Sequence, residues 1–323
     1  MKYIILPGTD LKISRVALGT LWLAGIDENE VIPAIHCAFD QGIKMIDTAE
    51  NYLGGKSEEI VGKAVAGRRD KVVIATKGGL DWGQHTDRAP RSTELHINMA
   101  GQVSNQFRNS NPAWITAAID SSLRRMNTDY IDLYQIHYPN TTTPWEDTID
   151  ALEKAKAAGK IRYYGLSNFS VPQMREWLEH SSISSVQPPY NMLTRDIEDD
   201  ILPFCIENKI GVLTYGSLAH GLLTGTFNKD NFPSDWRKEL KPFKGDAYAK
   251  NLTIIEKLKE FGAARGIRMT QLAAAWVLAQ PGVSAALIAV DRTEHVEDNI
   301  KSTEIELSQE DLSYIRKILE FRD

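Results

Sequence analysis

Residues 43–59 read IKMIDTAENYLGGKSEE, and the change of period within this stretch decides the fold. The apolar run Ile43–Ile46 ends in Asp47, a tyrosine follows five positions on, and a glycine-rich turn leads into SEEIVGKAV from Ser57, whose apolar spacing is that of a helix. A short β-rich run, a polar loop and a helix start make one βα unit. An aspartate at a strand exit is ordinary by itself, because loops begin there and loops are polar. Its meaning depends on what the other strands end in.

The same switch recurs along the chain. Short apolar runs stand at Val16–Leu18, Met45–Ile46, Val72–Ala75, Ile131–Ile136, Tyr163–Leu166, Ser185–Val186, Gly211–Thr214 and Ala286–Ala289. Between them lie helix-like segments with clear starts, such as PAWITAAIDSSLRRM from Pro112 and PWEDTIDALEKAKAAG from Pro144 to Gly159. VPQMREWLEH, IEDDILPFCIEN, the run from Tyr248 to Ala264 and TQLAAAWVLAQ continue the series. Crossover helices join parallel neighbours, so the economical architecture is an α/β fold, a (β/α)8 TIM barrel, in a single domain spanning 1–323. Outside the repeat, KYIILPGTDLKIS reads as an N-terminal β-hairpin cap around Pro7–Asp10, and QEDLSYIRKILEF as an extra C-terminal helix. The stretch Gly78–Asn111 is too long and polar for an ordinary βα connection and reads as a substrate lid, carrying Trp82, His85 and His96.

At 323 residues, 42% hydrophobic and 25% charged, the composition is that of a folded globular protein able to bury a large core. A net charge of -6 offers no basic face for nucleic acid or an anionic membrane. Small-molecule partners follow. No secretory leader and no apolar run of bilayer length is legible, so the expected compartment is the cytoplasm. Cys37 and Cys205 lack metal or redox spacing and read as buried reduced thiols.

In such a barrel the C-terminal strand ends converge on one mouth. The exits here are Gly19-Thr20-Leu21-Trp22, Asp47 with Tyr52 one loop turn beyond, Lys77, His137, Ser167-Asn168, Gln187, and Tyr215 with Ser217. Each has a dull explanation singly, as loop starter, solvated charge or core histidine. Together a carboxylate, a phenol, an ammonium and an imidazole suit proton transfer to a carbonyl oxygen. A free tyrosine titrates near ~10, and a neighbouring ammonium should favour the phenolate and bring that value down. Lys77 is the expected source of that effect. Asp47 is expected to hold Lys77 and keep it charged, and His137 to position the substrate oxygen or share its proton.

At this point the sequence resembles the aldo-keto reductases. DTAENY (47–52), ATKGG (75–79), YIDLYQIHYP (130–139), GKIRYYGLSNF (159–169), VQPPYN (186–191) and LTYGSLAHGLLTG (213–225) look like that family's successive signatures and cover nearly the whole chain. The resemblance implies that Asp47, Tyr52, Lys77 and His137 are the catalytic tetrad, with Tyr52 as general acid. It implies that Ser167, Asn168 and Gln187 hold a nicotinamide carboxamide and that Tyr215 stacks under the ring. The loop Ser217–Gly225, with Leu218, Gly221 and Leu223, would follow the pyrophosphate, where small residues let backbone N–H groups approach phosphate oxygens. Gly19 and Thr20 at the first exit are counted with these cofactor residues. The implied reaction is hydride transfer between a nicotinamide and an aldehyde, ketone or sugar-like carbonyl compound.

The segment ALIAVDRTEHVEDNI (286–300) departs from the family pattern at the adenosine-ribose end, where Ala289, Arg292, His295, Asp298 and Asn299 stand. Arg292 could meet a 2′-phosphate and Asp291 would repel one, so family habit tilts the expectation to NADP over NAD. For substrate, Trp22, Trp82 and His85 are expected to form an aromatic and polar wall suited to hydroxylated carbonyls; Trp114, within a helix, reads as packing. The competing reading is a cofactor-binding regulatory subunit of a channel, with slow redox activity. A metal-dependent barrel hydrolase is weak, because the exits lack clustered His and carboxylate ligands. The oligomeric state is left open.

Overall fold

The computed structural model describes residues 1–21, 27–82, 94–97, 103–289 and 292–320. Eight parallel strands close a barrel in chain order: β3 (Val16–Gly19), β4 (Met45–Asp47), β5 (Val73–Gly78), β9 (Ile131–Ile136), β10 (Ile161–Ser167), β11 (Ser185–Gln187), β12 (Gly211–Thr214) and β13 (Val283–Ala289), the last pairing with the first. All eight expected strands are present. The N-terminal hairpin is also found: β1 (Tyr3–Ile5) pairs antiparallel with β2 (Lys12–Ser14), closed by Leu6 N donating to Leu11 O at 2.9 Å.

The helices α1 (Glu28–Asp40), α2 (Lys56–Val65), α3 (Pro112–Met126), α4 (Trp145–Ala157), α5 (Val171–Leu178) and α6 (Ile201–Glu207) each follow a barrel strand. The α3 start has a plain local cause: Asn111 caps it, its side chain accepting from Ala113 N, and Pro112 holds the first turn. Two helices, α7 (Gly245–Ala263) and α8 (Met269–Ala279), share the β12–β13 crossover, α9 (Thr293–Lys301) follows the last strand, and α10 (Gln309–Leu319) is the extra C-terminal helix. TQLAAAWVLAQ thus precedes the eighth strand as a second crossover helix rather than standing as a strand's lone partner. Among the described residues no helix is long and apolar enough to cross a membrane.

The excursion 78–111 differs from its reading as a loop. Its described residues form a small antiparallel sheet, β6 (Leu80–Asp81), β7 (Leu95–Ile97) and β8 (Val103–Arg108), in the order β6-β8-β7. Its polar side chains disguise two short paired runs as connection.

Side chains alternate across each barrel strand, and one inward set builds an apolar plug: Ala17, Met45, Ala75, Leu133, Leu213 and Ala285, sealed from below by Leu6, Leu11 and Ile13 of the hairpin. The outward set, with Val16, Ile46, Ile74 and Ile136, packs on the helices. Two residues further along the inward face of β4, β5 and β9 come Asp47, Lys77 and Gln135. The plug therefore ends where the polar residues begin.

Candidate active site

Register places the polar layer. Lys77 pairs with Gln135 across β5 and β9, Ser167 with Gln187 across β10 and β11, and Gly19 with Asp47 across β3 and β4. Asp47 (3% exposed) and Lys77 (1%) form a buried ion pair, with Nζ 2.5 Å from Oδ1. The ammonium also donates to Thr48 O at 2.8 Å and to the Tyr52 phenol oxygen at 3.3 Å. The second carboxylate oxygen of Asp47 accepts from Gln187 Nε2 at 2.8 Å and from Gln135 Nε2 at 3.3 Å. Every partner a buried carboxylate needs is thus supplied by strand-end side chains.

Tyr52 is delivered by a tight turn. Leu53, Gly54 and Gly55 all have left-handed φ, of 53°, 62° and 88°, which folds the phenol back over the mouth. Glu50 fastens this turn to the β5 exit: its N donates to Lys77 O at 3.0 Å, and its Oε1 accepts from Gly79 N at 2.9 Å and Leu80 N at 3.3 Å. Behind, Ser57 Oγ donates to Thr20 Oγ1 at 2.8 Å, and Glu58 takes Arg125 Nε at 2.7 Å and Thr76 Oγ1 at 2.6 Å. These bonds tie α2 and α3 to the barrel under Tyr52. Glu50 and Gln135 were missed in the sequence; Gln135 was findable, standing two residues beyond Leu133 on the inward face.

His137 faces Tyr52 edge-on, ring centroids 5.9 Å apart. Burial, then the charge of Lys77, then His96, drive its pKa well below the ordinary value, so the imidazole is neutral near pH 7. Tyr52 moves the other way: burial, then the Asp47 carboxylate, push its pKa far up. The expectation that Lys77 lowers the tyrosine is therefore overturned. The ammonium is at hand, but Asp47 offsets its charge and the phenol is half-buried against the cavity wall, so the proton stays on the oxygen. A neutral phenol and a neutral imidazole beside a buried ion pair can hold and release a proton toward an oxygen placed between them.

Asp47, Tyr52 and His137 line a cavity of ≈ 340 Å³ together with Gly19, Thr20, Ser167, Asn168, Gln187 and Tyr215. Asn168 Nδ2 donates to His137 O at 3.0 Å, and Tyr215 OH to Asn168 Oδ1 at 2.9 Å, so the expected carboxamide and ring partners stand in one chain of contacts with His137. Gln187 instead directs its amide nitrogen at Asp47. Gly216, His220, Leu287 and Ala289 continue into a cleft of ≈ 1080 Å³, lined also by Ser217, Leu218, Gly221, His295, Asp298 and Asn299. Ala219 and His220, at φ 48° and 55°, hold consecutive left-handed conformations in this loop, a strained arrangement of the kind found at ligand clamps. An aromatic-floored cavity running into a long cleft with turned backbone fits a dinucleotide.

Some expected residues stand elsewhere. Leu223 is fully buried in the core, Lys259 Cε lies 2.4 Å from where a Cβ on Gly225 would sit, and Arg292 occupies the N-cap position of α9 without a side-chain capping bond. Trp82 packs against the Gly54–Gly55 turn, 3.6 Å from a Cβ on either, away from the described cavity lining. Trp22, His85 and Asp291 lie outside the described residues. Trp114 is buried in α3, Cys205 is buried and Cys37 half-buried, both thiols free.

A model described as the aldo/keto reductase family matches residues 15–320. An aldo-keto reductase of Bacillus subtilis is 38% identical, the alignment covering 99% of this chain and 94% of the relative. An NADH-specific methylglyoxal reductase of Escherichia coli is 33% identical, with 99% of both chains covered. Among solved structures, a glycerol dehydrogenase from Gluconobacter oxydans matches with a TM-score of 0.85 and 36% identity, covering 98% of this chain and 94% of that one.

Proposed function

The chain belongs to the aldo/keto reductase family and is an NAD(P)-dependent oxidoreductase acting on carbonyl groups; from that premise we propose that Tyr52 hands the proton to the substrate oxygen, with Asp47, Lys77 and His137 as its supports. The observation that carries this reading is the Lys77 ammonium, bonded to Asp47 and Tyr52 together at the barrel mouth. When bound, the nicotinamide supplies the hydride. Tyr52, protonated at rest, donates as charge develops on the oxygen; Lys77 then stabilises the phenolate left behind. His137, neutral, orients that oxygen through its ring. Asp47, held by Gln135 and Gln187, fixes Lys77.

For the cofactor we infer the inner cavity as the nicotinamide site, with Asn168, Ser167 and Tyr215 about the ring, and the outer cleft as the adenosine end. NADPH is the form we expect to be preferred. The outer cleft is lined by Arg237, Lys259 and Arg268, while Asp298, the one carboxylate among its described lining residues, is saturated by Thr270 Oγ1 at 2.7 Å, Gln271 Nε2 at 2.7 Å and Arg268 at 3.2 Å. Each of these cations already holds a carboxylate, Arg237 that of Asp235 at 2.7 Å, Lys259 that of Glu256 at 2.7 Å and Arg268 that of Asp298, so a 2′-phosphate would have to share them, and the preference rests on the cations' number along the cleft. The excursion 78–111 is assigned to covering the substrate. The relatives named for methylglyoxal and glycerol suggest short oxygenated substrates.

The test is to follow reduced nicotinamide absorbance with a panel of aldehydes, ketones and aldoses, running NADPH and NADH in parallel, and to titrate both cofactors for their Kd. Turnover with tighter NADPH supports the reading; tighter NADH binding overturns the cofactor preference. Binding without turnover across the panel would turn the balance toward a regulatory subunit.

A further inference from the structure

One wall of the cavity is built from side chains that the proton transfer does not use: Asn51 beside Tyr52, His96 on β7, Gln106 on β8 and Tyr138 after β9. Asn51 Nδ2 donates to Gln106 Oε1 at 3.1 Å, fastening the Tyr52 loop to the ribbon. The His96 ring lies 4.3 Å from Tyr138, which stacks on His137 at 5.0 Å and 23°. The ribbon is clipped to the segment after His137, since Glu94 Oε2 accepts from Asn140 Nδ2 at 2.8 Å and Thr141 N at 2.7 Å, and Arg108 donates to Pro139 O at 3.3 Å. The wall is thus fixed relative to the reacting groups.

It is also uncharged. Burial, then Arg108, lower His96 to about 4, and burial raises Tyr138 to about 12. No lysine or arginine is among the described residues lining the cavity, and Arg108 is paired with Glu94. His96 is 6% exposed, and two polar atoms of the wall, Asn51 Oδ1 and His96 Nδ1, are buried with no partner in the protein. A hydroxyl both donates and accepts, so it can serve an amide oxygen and a neutral ring nitrogen alike. A carboxylate or phosphate would shed water against a wall with no cation to receive it.

We propose that Asn51, His96 and Gln106 form a subsite for a hydroxyl on the carbon beside the reacting carbonyl, selecting short, uncharged hydroxy-aldehydes and hydroxy-ketones, or the matching polyols, over plain and over anionic carbonyl compounds. This rests on the carbonyl-reductase reading above. The test uses the full-length protein with reduced nicotinamide and three aldehydes of equal chain length: glyceraldehyde, propanal and glyceraldehyde 3-phosphate. The wild-type kcat/KM for glyceraldehyde is expected to exceed that for propanal by about three- to tenfold, the worth of one net hydrogen bond, and that for glyceraldehyde 3-phosphate by at least as much. In Gln106→Met, and independently in His96→Phe, the glyceraldehyde-to-propanal ratio is expected to collapse toward one, mostly through KM. A wild type without preference, or a ratio unmoved in both variants, overturns the subsite while propanal turnover leaves the reductase reading standing. Failure of the wild type on every aldehyde despite cofactor binding overturns both.

Discussion

The ammonium of Lys77 stands 3.3 Å from the phenol oxygen of Tyr52, yet that phenol holds its proton more tightly than free tyrosine does. The two facts agree once Asp47 is included. At 2.5 Å the carboxylate offsets the ammonium, so the phenol experiences burial before it experiences a cation. The resting site is a proton donor waiting for an acceptor, and the acceptor is an oxygen gaining negative charge.

The buried pair is expected to behave as a unit in folding. Asp47→Leu or Lys77→Leu alone leaves an uncompensated buried charge and should each cost about 3–5 kcal/mol. The double variant should recover much of that loss while remaining inactive. Urea midpoints across the four proteins measure the coupling; strictly additive losses would mean that the pair does not act as one.

Acid should separate the two histidine effects. The neutral state of His137 keeps the reductive kcat/KM level from about pH 6 to 9; a fall centred near pH 6.5 would show the imidazole titrating in the reaction. His96 binds its proton near pH 6.5 when unfolded but only about pH 4 when folded. The unfolded state therefore takes up more protons in that window, and stability present above pH 6.5 is lost as pH falls toward 4. The urea midpoint of wild type should drop more between pH 7 and pH 5 than that of His96→Phe.

Tyr134 makes a counter-intuitive case. Its hydroxyl is buried on β9 without a hydrogen-bond partner, facing the carboxylates of Glu50 and Glu58. Tyr134→Phe removes an unsatisfied group and should be neutral or stabilising by up to about 2 kcal/mol. A Cβ on Gly78 would sit 1.8 Å from the same oxygen. Gly78→Ala should therefore destabilise by about 1–3 kcal/mol or more, part of it recovered in the double variant. A Tyr134→Phe protein several kcal/mol weaker than wild type would contradict the packing described.

The barrel and the placing of Asp47 and Lys77 at its mouth were legible because one rule governs them: inward positions come every second residue, and the first polar ones after the apolar plug are these two. Gln135 obeys the same rule but hides between Tyr134 and Ile136. Other features depend on distances a linear reading does not contain. Trp82 reads as a wall of the cavity until Gly54 and Gly55 are seen beneath it; Leu223 reads as loop until the core closes over it. Polar composition concealed the β7–β8 ribbon. The direction of the Tyr52 shift turned on whether burial or a paired ammonium dominates, which no spacing reveals.

The most direct measurement compares wild type with Tyr52→Phe for single-turnover hydride transfer and for cofactor Kd on the same preparations. The account predicts a rate lower by about 10²–10⁴-fold with the Kd nearly unchanged. A Tyr52→Phe protein that transfers hydride at the wild-type rate would contradict the assignment of the proton donor.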